Sequence, residues 1–419
     1  SRSSAASDVY KRQTLSVRGV DLRELTVRPD TDFVMMATGG LMGIRVGVSL
    51  LLGAVLNYLV LAPWAIATGE IPGVPGADGL RHYGFREITK WALWGGVAMM
   101  TTASLFAFFA RPRIILDAFR GFTAQGRARL AADPLRDIEL PLKVFVLGIP
   151  VVGTLVVLQA HWFFGVSWWL GALAIPLVFA FTLIAVNSTA LTAITPSGAV
   201  GKLTQLTFGV LDPGNIKTNL MTAGITGEVA LNASNLLMDI KPGYMLGAKP
   251  RQQALGHVLG VCAGALVAVP VFYLAFLHAG PQAMFERHPM PSASVWKAVA
   301  ELLTQGLSNL PVSARWAALY GALLGVGLEA ARLVTRGRFW LSGVGLGLAT
   351  VIPFNTCFAM FLGSFLFWLA GRTLKRPDSV AHRLWVQNQE PICGGVIAGG
   401  ALMGIALILV ENFLLAPGS

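Results

Sequence analysis

Long apolar runs constrain this chain more than any other feature. A helix that crosses a bilayer takes roughly 20 apolar residues, and a backbone at that depth has to satisfy its own polar groups. Runs of this kind recur at Trp91 to Ala110, Val144 to Phe163, Trp168 to Val186, Leu255 to His278, Trp316 to Leu333 and Ile392 to Leu415. Trp91, Trp94, Trp162, Trp168 and Trp169 stand near the ends of the first three, where amphipathic rings sit well at headgroup level. Apolar letters make up 54% of the chain and charged letters 13%, and the mean hydropathy is +0.64, too greasy for a soluble globular domain. The expected fold class is all-α: a polytopic integral membrane helical bundle of about 9–11 membrane segments, some of them broken or re-entrant.

The formal net charge of +11 would suggest nucleic acid in a soluble protein. Here the cations cluster in short loops between apolar runs, so they read as topology signals and no nucleic-acid partner is expected. The densest loop, Arg111 to Lys143, carries seven Lys/Arg against four acids and is placed in the cytoplasm. Cys262, Cys357 and Cys393 have no paired spacing and read as small buried hydrophobes. The opening "SRSSAASDVYKRQ" (Ser1 to Gln13) is unlike the rest of the chain and reads as adaptor-derived, non-native sequence. Residues 14–419 are then one transmembrane domain.

Several apolar segments are interrupted. Phe33 to Thr68 is too long for one straight crossing, so a short segment, a hinge around Gly43 to Arg45 and a span ending near Ala62, before Pro63, are expected. Asn187 to Asn215 is only moderately apolar and broken by Pro196, Gly198 and Gly201, which suits a re-entrant or weak span. Phe339 to Ala370 has cations on both flanks (Arg332, Arg336 and Arg338; Arg372, Lys375, Arg376 and Arg383), so it should enter and return. Its turn is expected at Ile352-Pro353-Phe354-Asn355, because proline removes a donor and disfavours helix before it. A surface helix is expected at Val295 to Leu307. "GGLMGI" (Gly39 to Ile44) and "GGALMGI" (Gly399 to Ile405) form a weak internal echo.

The helix Asn219 to Lys241 carries the chemistry. At 100° per residue, Glu228, Asn232, Asn235 and Asp239 fall within about 60° of one another, with Gly224 on the same stripe. A carboxylate at mid-membrane costs about 2.5–3.5 kcal/mol, so it faces a partner or a wet cavity and marks an ion or solute path. Glu228 is the candidate proton or cation carrier, and Asn232 and Asn235 the candidate hydrogen-bond partners of a polar solute. The same stripe also suits an interhelical hydrogen-bond network. Asp239 beside Lys241 is both a transport candidate and a simple helix-end charge pair. Pro242-Gly243 should stop the helix at the cytoplasmic side. Arg45 is a candidate for an anionic group or a snorkelling cation, and Asn355 at the proline break is a candidate solute ligand. Glu329 and Arg332 are spaced for a pair near a helix end, and His257 opens a span.

"NLMTAGITGEVALNASNLLMDIKPGYMLGAKPRQQALGHVLG" (Asn219 to Gly260), with "ITPSGAVGKLTQLTFG" (Ile194 to Gly209), resembles the oligopeptide transporter family, in its bacterial and yellow stripe-like branch. "GLGLATVIPFNTCFAMFLGSFLFWL" (Gly345 to Leu369) and "GGVIAGGALMGI" (Gly394 to Ile405) also look like late segments of that family. The resemblance implies a proton-coupled importer of short peptides or siderophore-like metal chelates, with no cofactor beyond the proton gradient. It also implies a multi-pass protein of a cell membrane, the bacterial inner membrane in particular, and that this chain is the C-terminal part of a longer protein. No GxxxxGK[ST] motif is present for ATP hydrolysis. The alternatives are a polytopic membrane enzyme using Asp239 and His257, which has no HExxH or GxSxG pattern behind it, and a channel.

Overall fold

Apolar residues along the chain form helix after helix. The structure, a computed structural model, describes residues 16–28, 32–75, 81–110, 138–192, 197–277, 291–306 and 312–413 with a few single positions between them. Ser1 to Gln13, most of the cationic loop 111–143 and parts of 279–315 lie outside the described residues.

In chain order, a hairpin of β1 (Ser16–Val17) and β2 (Val20–Asp21) precedes α1 (Phe33–Met42) and α2 (Ile44–Ala54). A π-helical stretch, Val55–Leu61, joins α2 to α3 (Ala62–Ala67), and a second small hairpin pairs β3 (Val74–Pro75) with β4 (Arg81–His82). The next helices are α4 (Phe85–Phe109), α5 (Leu142–Phe164), α6 (Trp168–Thr192), α7 (Ser197–Leu211), α8 (Ile216–Met245) and α9 (Pro250–Phe272, prolonged by π-helical Tyr273–Leu277). Then come α10 (Pro291–Gln305), α11 (Val312–Val334), α12 (Gly343–Leu348), α13 (Phe354–Thr373), α14 (Val380–His382) and α15 (Gln389–Phe413). Among the described residues, eight helices are long and apolar enough to cross a membrane, and α1 is a shorter apolar helix. Among the described residues the fold is all-α apart from the two hairpins, which no sequence signal announced. The chain divides into two compact units, 1–103 with 310–419, and 104–309.

The first unit is held by small residues. A Cβ on Gly39 of α1 would collide with the Met360 carbonyl of α13, and one on Gly363 of α13 with the Met36 carbonyl of α1, so the two backbones touch. Gly47 against Ser364, Gly96 against Thr350 and Gly321 against Gly95 repeat the device. This is how helices associate where the solvent is as apolar as leucine and burial gives no drive. Around these crossings Leu50, Ala54, Tyr58, Ile88, Cys357 and Met360 form the core, with Val20 and Leu25 of the first hairpin segment packed into it.

The expected hinge is present: Gly43, at φ 78°, separates α1 from α2. The expected end before Pro63 is not. The helix runs on to Ala67 because the widened π turn, in which the Ala62 N–H bonds to the Asn57 carbonyl, admits a residue without a donor. The break at Pro353 falls where proline predicted it, and its loose ends are satisfied. Tyr58 Oη donates to the Ile352 carbonyl at 2.9 Å, and the Phe354 N–H donates to Thr26 Oγ1 at 2.8 Å. One glycine from each half of the sequence echo packs closely in this unit: Gly40 abuts Cys393 and Phe367, and Gly400 abuts Val34.

In the second unit, α5 and α6 form a helical hairpin. Gly165, at φ 72°, ends α5, and His161 stacks on Trp168 at 4.1 Å. α7 and α8 form a second hairpin across the short Asp212–Asn215 link, and α10 packs on both of them. The helix expected on the surface at Val295 to Leu307 is therefore half internal: Val295, Ala298, Val299 and Ala300 are buried.

The candidate functional site

The site is built in the second unit, on the α7–α8 hairpin. Asn215 caps α8, its Oδ1 accepting the Thr218 N–H at 3.1 Å, and Gly214 at φ 88° makes the reversal. Short side chains then let the helices close. The Trp296 ring of α10 occupies the space a Cβ on Gly201 would take, and Leu303 lies against Gly209.

Sealed between these helices is a polar interior. Gln205 Nε2 donates to the Trp296 carbonyl at 3.0 Å, and Asn219 Nδ2 donates to the Gln205 carbonyl at 2.7 Å. Along α8, Thr222 and Thr226 return their hydroxyls to carbonyls one turn back, at 2.8 and 2.7 Å. Thr189 of α6 reaches Ser234 Oγ at 3.1 Å. Three polar atoms are left over in this interior: Gln205 Oε1, Asn219 Oδ1 and Thr218 Oγ1 are buried with no hydrogen-bond partner among the described residues. Lys202 of α7 is also buried, at 9% exposure, and no hydrogen bond or ion pair is formed by its ammonium among the described residues.

The predicted stripe lies on another face of α8. Glu228 and Asn232 are exposed and meet each other, Asn232 Nδ2 donating to the Glu228 carbonyl at 2.9 Å with Glu228 Oε2 at 3.4 Å. Asn235 is half-buried and Asp239 exposed, and Asp239 makes no ion pair with Lys241 or any other cation among the described residues. Beside the stripe, Ile225 and Val229 help line an apolar groove of about 500 Å³ between α5, α6 and α8. α8 thus has a polar inner face, an apolar face and a carboxylate-amide face.

Pro242-Gly243 does not stop α8, which continues to Met245 and ends at Gly247, φ 93°. A proline in the last turns removes one donor only, and the terminal carbonyls are taken up by Leu246 N–H and Ala248 N–H.

The remaining candidates are placed separately. Arg45, in the first unit, donates from Nη1 and Nη2 to the Gly337 and Leu341 carbonyls at 3.3 and 3.2 Å, tying the segment after α11 to α2. Asn355 is buried in the first turn of α13, beside the proline break of the first unit. Glu329 pairs with Arg332 at 3.5 Å as its spacing predicted, but its carboxylate is buried, not at the surface. His257 is half-buried in α9, and no hydrogen bond or ion pair joins it to Asp239 among the described residues.

Sequence reasoning missed Lys202, Gln205 and Asn219. Their signal was present, since Lys202 and Gln205 stand three residues apart on one side of α7. What a sequence does not display is the Trp296 helix that covers them.

Eight apolar spans among the described residues, helices interrupted at Gly43 and Pro353, and a polar interior define a polytopic α-helical membrane protein. The family description "OPT oligopeptide transporter protein" matches residues 8–410, so the chain belongs to the oligopeptide transporter family. It is similar to the "Putative oligopeptide transporter YGL114W" of Saccharomyces cerevisiae, 25% identical over 90% of this chain and 57% of that protein. It is 24% identical to the "Probable metal-nicotianamine transporter YSL8" of Oryza sativa subsp. japonica, over 76% of this chain and 50% of that one. A "Putative oligopeptide transporter" of Haemophilus influenzae is 23% identical over 90% of the chain and 65% of its own length. The chain spans about half the length of the first of these relatives.

Proposed function

We propose that this chain forms part of a secondary active importer of the bacterial inner membrane, in which inward proton movement drives uptake of a short oligopeptide or a metal chelate. Membership of the oligopeptide transporter family carries this reading, and the names of its relatives supply both solute classes. Glu228 is the proton carrier. Its carboxylate sits on a helix whose other faces are apolar or sealed, and Asn232 lies within reach to steady either protonation state. Asn235 and Asp239 extend the polar track along α8, and Asn355 marks a second polar position at a broken helix, the kind of place where transporters contact solute and ions.

The test is uptake into proteoliposomes under an imposed pH gradient, with a tripeptide and an amino-acid-derived iron chelate as parallel solutes and the Haemophilus influenzae relative alongside. Gradient-driven accumulation of one of them is expected, and Glu228→Gln should abolish accumulation while leaving solute exchange. Accumulation that survives Glu228→Gln removes the proton role. Chemical turnover without movement of solute would replace the transporter with an enzyme, and non-saturating flux with a channel.

A further inference from the structure

Asn57 is left unused by the Glu228 track. It stands in the π-helical stretch Val55–Leu61, where its carbonyl takes the Ala62 N–H across the widened turn. It is 1% exposed, and neither Oδ1 nor Nδ2 has a hydrogen-bond partner among the described residues. An unpaired amide in a core is costly, and folding alone would favour leucine there. Thr89 of α4 repeats the anomaly with a buried Oγ1 that has no partner among the described residues. Both side chains border the Tyr58 hydroxyl, whose proton is already given to the Ile352 carbonyl at the Pro353 break. One corner of the first unit therefore gathers an amide with both edges unpaired, an unpaired hydroxyl and the joint between α12 and α13.

The unpaired atoms decide what chemistry suits them. A bare cation answers Oδ1 and leaves Nδ2 unpaired, and a carboxylate does the reverse. A group that donates and accepts side by side answers both. An extended peptide offers that pair in the N–H and C=O of one residue, the pair that antiparallel strands exchange. We propose that Asn57, with Thr89 beside it, binds the backbone N–H and C=O of the central residue of a transported peptide. The inference rests on the transport reading and chooses between its two solute classes: a chelate that presents only carboxylate oxygens has no donor for Oδ1. Tyr58 and its core neighbours Leu50, Ala54 and Ile88 shut this corner in the present conformation. Two joints meet there, the π turn and the gap before Phe354, and movement at either uncovers Asn57. Such breaks in the helical backbone are where transporters contact solutes.

The test is equilibrium binding to the purified protein, which needs no transport. The ligands are a tripeptide, its analogue with the central N–H replaced by an ester oxygen, and an aminocarboxylate iron chelate. The wild-type protein should prefer the peptide over the ester by about 5- to 100-fold, the worth of one buried partner left unpaired. Asn57→Leu, an apolar replacement of similar size, should bring that ratio close to one, and Asn57→Ala should do the same should the Leu variant fail to fold. A ratio that persists unchanged in Asn57→Leu or Asn57→Ala overturns this site and leaves the transport reading standing. Equal affinity of the wild-type protein for peptide and ester means that water alone meets the amide, and it too overturns the site alone, as does binding of the chelate without the peptide. Failure of peptide and chelate alike to bind the wild-type protein overturns the transport reading together with the site.

Discussion

Gly39 and Gly363 show what a single residue decides in this protein. Each fills the place where a Cβ would meet the opposing helix's carbonyl, and no rotamer change relieves that collision because the obstacle is backbone. Gly363→Val is expected to lower stability by at least the roughly 1–3 kcal/mol of an overpacked core, read as a fall in the unfolding midpoint in detergent. An unchanged midpoint would mean that α1 and α13 do not cross there. Residues of this scale were unevenly legible. Glu228 and Asn232 were visible because a carboxylate in an apolar helix stands out and the 100° step puts the amide beside it. Lys202 was not, because a lysine in a moderately apolar stretch reads equally well as a snorkelling cation until Trp296 and its helix are seen to cover that part of α7.

Elements were more legible where a residue changes the backbone itself. Gly43 and Pro353 announced their breaks, since one permits positive φ and the other removes a donor. Pro63 and Pro242 misled for a single reason: a proline interrupts a helix only when nothing absorbs the missing bond. At Pro63 a π turn absorbs it, and at Pro242 the helix is already within its last turns. The Pro353 break has its own support in Tyr58, whose hydroxyl takes the Ile352 carbonyl. Tyr58→Phe keeps the ring and deletes that donor, so it is expected to destabilise the unit by about 1–3 kcal/mol. The check is thermal unfolding of the two proteins side by side. Equal midpoints would show that the break stands without its hydroxyl prop.

At the scale of the whole molecule, the expected orientation rests on the cations. The flanks of Phe339 to Ala370 carry Arg332, Arg336 and Arg338 on one side and Arg372, Lys375, Arg376 and Arg383 on the other, a pattern that predicts both on the cytoplasmic face. Single cysteines at Arg336 and Lys375, in a protein lacking its own three, should resist an impermeant maleimide in intact cells and react once the membrane is opened. Labelling of either from outside would make that segment a single crossing. Orientation is predicted from Lys and Arg counts because they act during insertion, before any tertiary contact exists. The two β-hairpins were illegible because two-residue strands leave no alternation to detect.

The contact between α1 and α13 also sets limits on motion. Helices separated by side chains can slide, since rotamers re-form on the far side of the step. Where carbonyl meets glycine there is nothing to re-form, and a shift along the axis drives backbone into backbone. α1 and α13 therefore travel as one girder, and conformational change in the first unit is directed to joints that retain slack: the glycine at position 43 and the supported gap before Phe354.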